Sequence, residues 1–139
     1  MTFAIKAEIA EVNARAWSFP RQKTMYGGKH IAAGDVIFVF ASENEGGSGL
    51  IARAVVTSAR AVPPRKGVAR QTPLVSIEVK RVAQATRPLG RVELATFTDR
   101  KDGRPETELN FKFYRQAANK IVGISEGAAT FLDRCCLAR

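Results

Sequence analysis

The chain has 139 residues, 45% of them apolar and 25% charged, and a formal net charge of +9. A single domain of this length buries roughly two-thirds of its unfolded surface, so a core forms without metals or disulfides, and the composition excludes a disordered chain. No apolar run approaches the ~18–20 residues of a membrane span, and the charge of Lys6 follows the opening apolar residues, which is not the order of a signal peptide.

Phe3-Ala-Ile-Lys-Ala-Glu8 reads as a short first strand. Ala16-Trp17-Ser18-Phe19-Pro20-Arg21-Gln22 reads as loop, and a short helix is expected near 21–31. Gly34-Asp35 signals a turn into Val36-Ile-Phe-Val-Phe40. That run is β-branched, aromatic and too short for a helix, which marks a strand buried on both faces. Phe38 and Phe40, two apart, share one face, and Phe38 belongs to the core. Glu43 to Gly49 is polar and glycine-rich, and Leu50-Ile-Ala-Arg-Ala-Val-Val56 follows, so the two strands are expected to form an antiparallel hairpin. Pro63-Pro64, Lys66-Gly67 and Pro73 make residues 60–73 a loop. Val75, Ile77 and Val79 then alternate with Ser76, Glu78 and Lys80, the pattern of a strand with one wet face. Asp99 to Pro105 is a second polar loop, and Lys120-Ile-Val122 a last strand. Ser125 caps a helix with Glu126 in its first turn. Ala128, Phe131, Leu132 and Cys135 fall at i, i+3, i+4 and i+7, so one face of that helix packs on the sheet. Consecutive short strands with few helices predict an α+β, mainly β fold: an antiparallel or mixed sheet curled into a small β-barrel, with the terminal helix covering it.

The charge is unevenly spread. Residues 1–50 balance, and residues 92–139 nearly do, but residues 51–91 hold nine basic groups against Glu78 alone. A concentrated basic segment favours a polyanionic partner, of which nucleic acid is the commonest. Arg60, Arg65, Lys66 and Arg70 are the expected contacts to its phosphate backbone.

A catalytic set is not legible. His30 is the only imidazole, and nothing nearby in sequence supplies a positioned partner, so it reads as a surface or satisfied histidine. Cys135 and Cys136 are adjacent and point about 100° apart on a helix, which spoils disulfide geometry. They are expected to stay reduced, with Cys135 buried, and the absence of a disulfide framework points to a reducing compartment, the cytoplasm. One histidine and two neighbouring cysteines do not make a four-ligand zinc site, and no metal or cofactor is expected. Gly46-Gly47-Ser48-Gly49 is followed by Leu50-Ile51 rather than the lysine and hydroxyl of a phosphate loop, so it reads as a flexible hairpin. Glu43 and Glu45 read as solvated loop charges. Trp17, the sole tryptophan, lies in a segment read as loop and either packs in the core or lines a site. Aromatic walls with amide and hydroxyl groups beside them are what a flipped or unpaired base needs, because stacking holds it and polar edges identify it.

Four segments in order resemble one family, the EVE domain of the PUA-like superfamily. Phe3-Ala-Ile-Lys-Ala-Glu8 is similar to its opening Tyr-Trp-Leu-x-Lys-Ser/Thr-Glu strand. Trp17-x-x-x-Arg21-Gln22 resembles its Trp-x-Gly-Val-Arg-Asn segment, with Gln22 in place of the asparagine. Gly34-Asp35-Val-Ile-Phe-Val-Phe40-Ala-Ser42 resembles Gly-Asp-x-x-Phe-Phe-Tyr-His-Ser, and Lys120-Ile-Val-Gly-Ile-Ser125 resembles the Arg-Leu-Ser-x-x-Pro-Ile-Ser ending. The family's second opening aromatic is Ala4 here and its strand histidine is Ala41. The resemblance spans almost the whole chain and implies one PUA-like barrel over residues 1–139 with short flanking helices. It implies a pocket for a modified base in DNA or RNA and no catalysis. Carried over residue by residue, Trp17, Arg21 and Gln22 line that pocket from the loop side. Phe40, Ser42 and Asn44 come from the strand end, and Lys120 takes the place of the family's arginine. Tyr26 joins them as an aromatic residue near Trp17.

The resulting expectation is a non-enzymatic reader of a modified base. Two alternatives stand beside it: a generic RNA-binding PUA-like module that contacts shape and phosphates without a base pocket, and a small nucleotide-type ligand sensor or enzyme using His30 or the Glu43/Glu45 loop.

Overall fold

In the computed structural model, which describes residues 1–137, seven strands are joined in the order β2-β6-β1-β3-β4-β5-β7. They are β1 (Thr2–Ala7), β2 (Ala16–Met25), β3 (Val36–Ala41), β4 (Gly49–Ala61), β5 (Leu74–Ala85), β6 (Lys120–Ile124) and β7 (Cys136–Leu137). An additional pairing of β2 with β5 closes the first six into a ring, so the mainly β fold is a small mixed barrel, as expected. Two pairs are parallel, β1 with β3 and the end of β2 with β6; the others are antiparallel, including the predicted hairpin of β3 and β4. Ring closure leaves no unpaired edge on these six strands, which a sheet of this size needs.

The period-2 alternation of the strands builds two cores. Phe3, Ile5, Phe19, Ile37, Val39, Ala54, Val56, Ile77, Val79 and Ile121 come from all six ring strands and fill the lumen. Ala4, Phe38, Phe40, Val122 and Ile124 point the other way and pack beneath the helices. α1 (Arg91–Leu94), α2 (Pro105–Asn110), a π-helical turn over Phe111–Arg115 and α3 (Glu126–Arg134) supply Leu94, Leu109, Phe113, Ala128 and Leu132 to that outer core. α3 is the helix read from sequence, and the Ser125 Oγ accepts from the N–H of Ala128 as its cap.

One region departs from the sequence reading. Residues 16–25 form neither loop nor helix but the ten-residue strand β2. Its alternation is interrupted by a register shift between Phe19 and Gln22. Pro20 and Arg21 sit in that bulge, with Arg21 in the left-handed region at φ 52°. A bulge takes a proline without losing a ladder hydrogen bond, and it breaks the period that would have revealed the strand. A 3-10 turn at Gly28–His30 is what remains of the expected helix.

Candidate nucleic-acid interface

The sequence-derived site residues fall into two groups. Trp17, Arg21 and Gln22 stand on β2 beside β5. Phe40, Ser42, Asn44, Lys120 and Tyr26 gather around the π-helical turn and the segment after it.

In the first group, Trp17 pairs with Val79 across the β2–β5 ladder and is half-buried against the lumen core. Its indole N–H donates to Glu11 O at 2.9 Å, which fixes the ring under the segment that links β1 to β2. Trp17 also contributes to a groove of about 520 Å³ lined by Arg15, Ser18, Thr57, Glu78 and Lys80; the side chains of Ser18, Glu78 and Lys80 alternate to the face of the β2–β5 ladder opposite the indole. Trp17 is therefore both packed and accessible. Two cations, two hydroxyls and one carboxylate line that groove and suit a ligand with polar edges and an attached anion.

The bulge that hides β2 in the sequence also turns Arg21 outward. Its backbone N–H donates to Ser76 Oγ at 3.0 Å, and Ser76 lies opposite Arg60 on β4. Arg21, Ser76 and Arg60 thus form a row across three neighbouring strands, spaced about 4.8 Å apart from strand to strand. Gln22 spends its amide on Pro20 O. At the end of β4 and β5, Arg65, Lys66 and Arg70 are exposed on a loop that Gln71 organises, accepting from Arg65 N and donating to Arg65 O and Val68 O. Among the described residues only Arg53 and Lys112 have a carboxylate within ion-pair distance, Asp133 and Glu108 respectively. The cations of the β2–β5–β4 face and its loop are thus electrostatically unspent, the condition for phosphate contact.

In the second group Phe40, Ser42 and Lys120 are buried, against the expectation that they line an open pocket, while Asn44 and Tyr26 are exposed. Phe40 is fully buried and stacks obliquely on Phe113, ring centroids 5.0 Å apart. Lys120 is 1% exposed and donates to Gln116 O and Ala118 O, capping the carbonyls that end the π-helical turn. Lys6, which sequence reasoning missed, does the same to Phe113 O at 2.6 Å and Ala117 O at 2.8 Å. Burial pulls the Lys120 ammonium down to about 8, with the neighbouring Lys6 charge acting in the same direction, and burial lowers Lys6 as well. Asn44 accepts from the Arg91 guanidinium at 2.7 Å. Ser42 is buried, and its Oγ has no hydrogen-bond partner among the described residues. Tyr26 is 39% exposed, donates to Gln116 Oε1 at 3.0 Å and stands 4.8 Å from the Lys112 ammonium, away from the residues around Trp17.

Glu43 is likewise no free loop charge. In a 3-10 turn over Glu43–Glu45, its carboxylate accepts from the Tyr114 hydroxyl at 3.0 and 3.1 Å and from the Arg91 N–H at 2.7 Å. Burial, then the Glu43 carboxylate, pushes the Tyr114 phenol well above its ordinary value. The proton therefore stays on Tyr114, and the pair ties the β3–β4 connection to α1 and the π-helical turn. His30 is exposed and Cys135 is free and buried, as read from the sequence; Cys136 is free and buried as well.

No protein-family model matches this sequence, and no curated protein matches it either. Solved structures do. The DUF55 domain of human thymocyte nuclear protein 1 superposes with a TM-score of 0.66 at 12% identity, over 95% of this chain and 96% of that one. A Pseudomonas putida protein gives 0.65 at 14% identity, over 97% and 99%. Human THYN1 in complex with 5-methylcytosine-containing DNA gives 0.63 at 12% identity, over 94% of each chain. The likeness is one of fold. The mainly β fold expected from the sequence is the one the chain adopts, and these domains share it. At this identity, side-chain roles are those of this chain's own residues.

Proposed function

We propose that this chain is a non-enzymatic nucleic-acid-binding module of the EVE type that reads a modified base in the groove beside Trp17. The observation that carries the reading is Trp17 itself: a half-buried tryptophan held by Glu11 O, on a ladder that also lines a groove with Arg15, Lys80, Ser18 and Glu78. Stacking on the indole holds a base, and the cations of the neighbouring groove hold its phosphate. The likeness to a domain crystallised with 5-methylcytosine-containing DNA supports the partner class. The reduced, buried cysteines support a cytoplasmic setting.

Because Trp17 is the only tryptophan, its fluorescence reports on this groove alone. Titration with a panel of modified nucleosides is expected to perturb the emission. Trp17→Ala is expected to weaken binding about tenfold or more, from a stacking contribution of roughly 1–3 kcal/mol. An emission that no nucleoside or oligonucleotide perturbs, with a loss of stability of roughly 3–5 kcal/mol on truncation, assigns Trp17 to the core instead.

A second reading is favoured by the row Arg21–Ser76–Arg60 and the basic loop: contact to phosphates without base selectivity. It predicts salt-dependent binding that is indifferent to modification and to Trp17.

A further inference from the structure

At one end of the ring β1, β3 and β5 finish and β2 and β4 begin. A cavity of about 410 Å³ lies there, bordered by Asn13 of the β1–β2 link, Ser48 at the approach to β4, and Arg81, Gln84 and Arg87 of β5 and the segment after it. It shares no lining residue with the Trp17 groove and is a separate site. The register sets Arg81 opposite Ala54 and Gln84 opposite Ala52, two alanines of the lumen core. Residues paired across a ladder share a face, so both long side chains stand on the lumen side of β5. Ala83 and Ala85, on either side of Gln84, pack with the outer core, as that alternation requires. The mouth of a small barrel is a common place for a ligand site.

Among the described residues no carboxylate lines the cavity, and neither Arg81 nor Arg87 has one within ion-pair distance. Arg87 is exposed yet held: its Nε–H donates to Cys135 Sγ at 3.2 Å, and its guanidinium carbon stands 5.9 Å from the centre of the Phe131 ring. The two terminal nitrogens are left for a ligand, on a side chain that is already ordered. Arg81 is half-buried, and its backbone N–H donates to Arg15 O at 2.8 Å, which fixes where its side chain leaves the strand. Asn13, Ser48 and Gln84 are exposed, with amide and hydroxyl groups open to a ligand. We infer that this cavity is a phosphate site, with Arg81 and Arg87 as its charged donors and Asn13, Ser48 and Gln84 around them. Two unpaired guanidinium groups on one cavity favour an anion between them. Donors from three separate segments suit a tetrahedral oxyanion better than a carboxylate, which takes its bonds in one plane. The phosphate belongs to a free phosphorylated ligand or to a nucleic-acid backbone. No side chain that lines the Trp17 groove takes part, so the site stands independently of the base reading.

The test titrates inorganic phosphate at constant ionic strength, set with chloride, and follows the arginine Nε–H resonances by NMR. Saturable shifts are expected at Arg81 and Arg87, each assigned by the resonance that its own substitution removes. Arg81→Gln and Arg87→Gln are each expected to weaken binding about tenfold or more, the scale of a hydrogen bond to a charged group. Gln84→Ala is expected to weaken it about threefold, the scale of a neutral donor. Gln84 is exposed, so Q84A keeps the test open if R87Q, which gives up the bond to Cys135, fails to fold. Shifts that do not saturate, or saturable binding that Q84A and the folded arginine variants leave unchanged, overturn the site. The dinucleotide thymidylyl-thymidine is then added to the phosphate-bound protein. Displacement of phosphate assigns the site to a nucleic-acid backbone, and phosphate that stays bound assigns it to a free phosphorylated ligand. Nucleoside titrations at Trp17 test the other groove, so either reading can fail without the other.

Discussion

Lys120 and Lys6 bury their ammonium groups among carbonyls, with no carboxylate as hydrogen-bond partner, and this sets a pH dependence. Burial disfavours the charged form, and the folded value of Lys120 is about 8 against an ordinary 10.5. Between those values the unfolded chain holds a proton that the folded chain has released, so stability rises with pH through this window and is lost again as pH falls through 8. The slope is bounded at about 1.4 kcal/mol per pH unit, so a gain of about 1 kcal/mol is expected from pH 8 to 9. Cys136 acts the other way. Burial pushes its thiol up to about 12 from 9.0, with Cys135 and Asp133 adding to the shift, so the unfolded chain ionises first and stability falls above pH 9. Urea unfolding of Cys136→Ala at pH 8 and 9 isolates the lysine contribution, and adding Lys120→Met is expected to flatten it. A profile already flat in Cys136→Ala would mean that Lys120 stays charged in the fold.

Among the elements, the join between α2 and α3 runs through one serine. Ser125 Oγ accepts from Ala128 N–H at 3.1 Å and also donates to the Glu108 carboxylate, while the Ser125 N–H donates to the same carboxylate at 2.9 Å. Burial alone would raise Glu108. The bonds from Ser125, with the Lys112 charge, outweigh it and hold the carboxyl below its ordinary value. Ser125→Ala removes the cap and one bond to a charged acceptor, and is expected to lower stability by about 1–2 kcal/mol in urea titrations. A drop under a few tenths would show that the N–H bond to Glu108 holds the helix start unaided. The cap was legible in the sequence because capping is local. The Glu108 bond was not, because the partner lies on another helix and no short motif joins the two.

Across the molecule, the excess charge of residues 51–91 is spread along β4, β5, their loop and the approach to α1. Reversal of Arg65, Lys66 and Arg70 to Glu is expected to weaken nucleic-acid binding and to lower the slope of log K against log salt. Each phosphate that is no longer neutralised should reduce that slope by about 0.7 for a single strand or about 0.9 for a duplex. An unchanged affinity and slope would remove this loop from the interface and leave the row of Arg21 and Arg60 as the phosphate contact to test next.

Features that depend on neighbours along the chain were legible from residue order alone: the alternation of 75–80, the doubly buried run 36–40, the helix that begins at Ser125 and the concentration of basic residues. They follow from period, capping and composition, and none needs to know what lies across the fold. Features that depend on closure emerged only in three dimensions. Pairing of β2 with β5 made a strand of residues 16–25 despite a bulge at Pro20 and Arg21, and it set Trp17 beside Lys80 and Arg21 in line with Arg60. Helices laid over β1, β3 and β6 turned Phe40 and Lys120 inward, because a strand's outer face is a surface only until something packs on it. Residue type and order along a strand say which side chains share a face. Which face meets water is settled by the ring and its helices, through contacts between residues far apart in sequence.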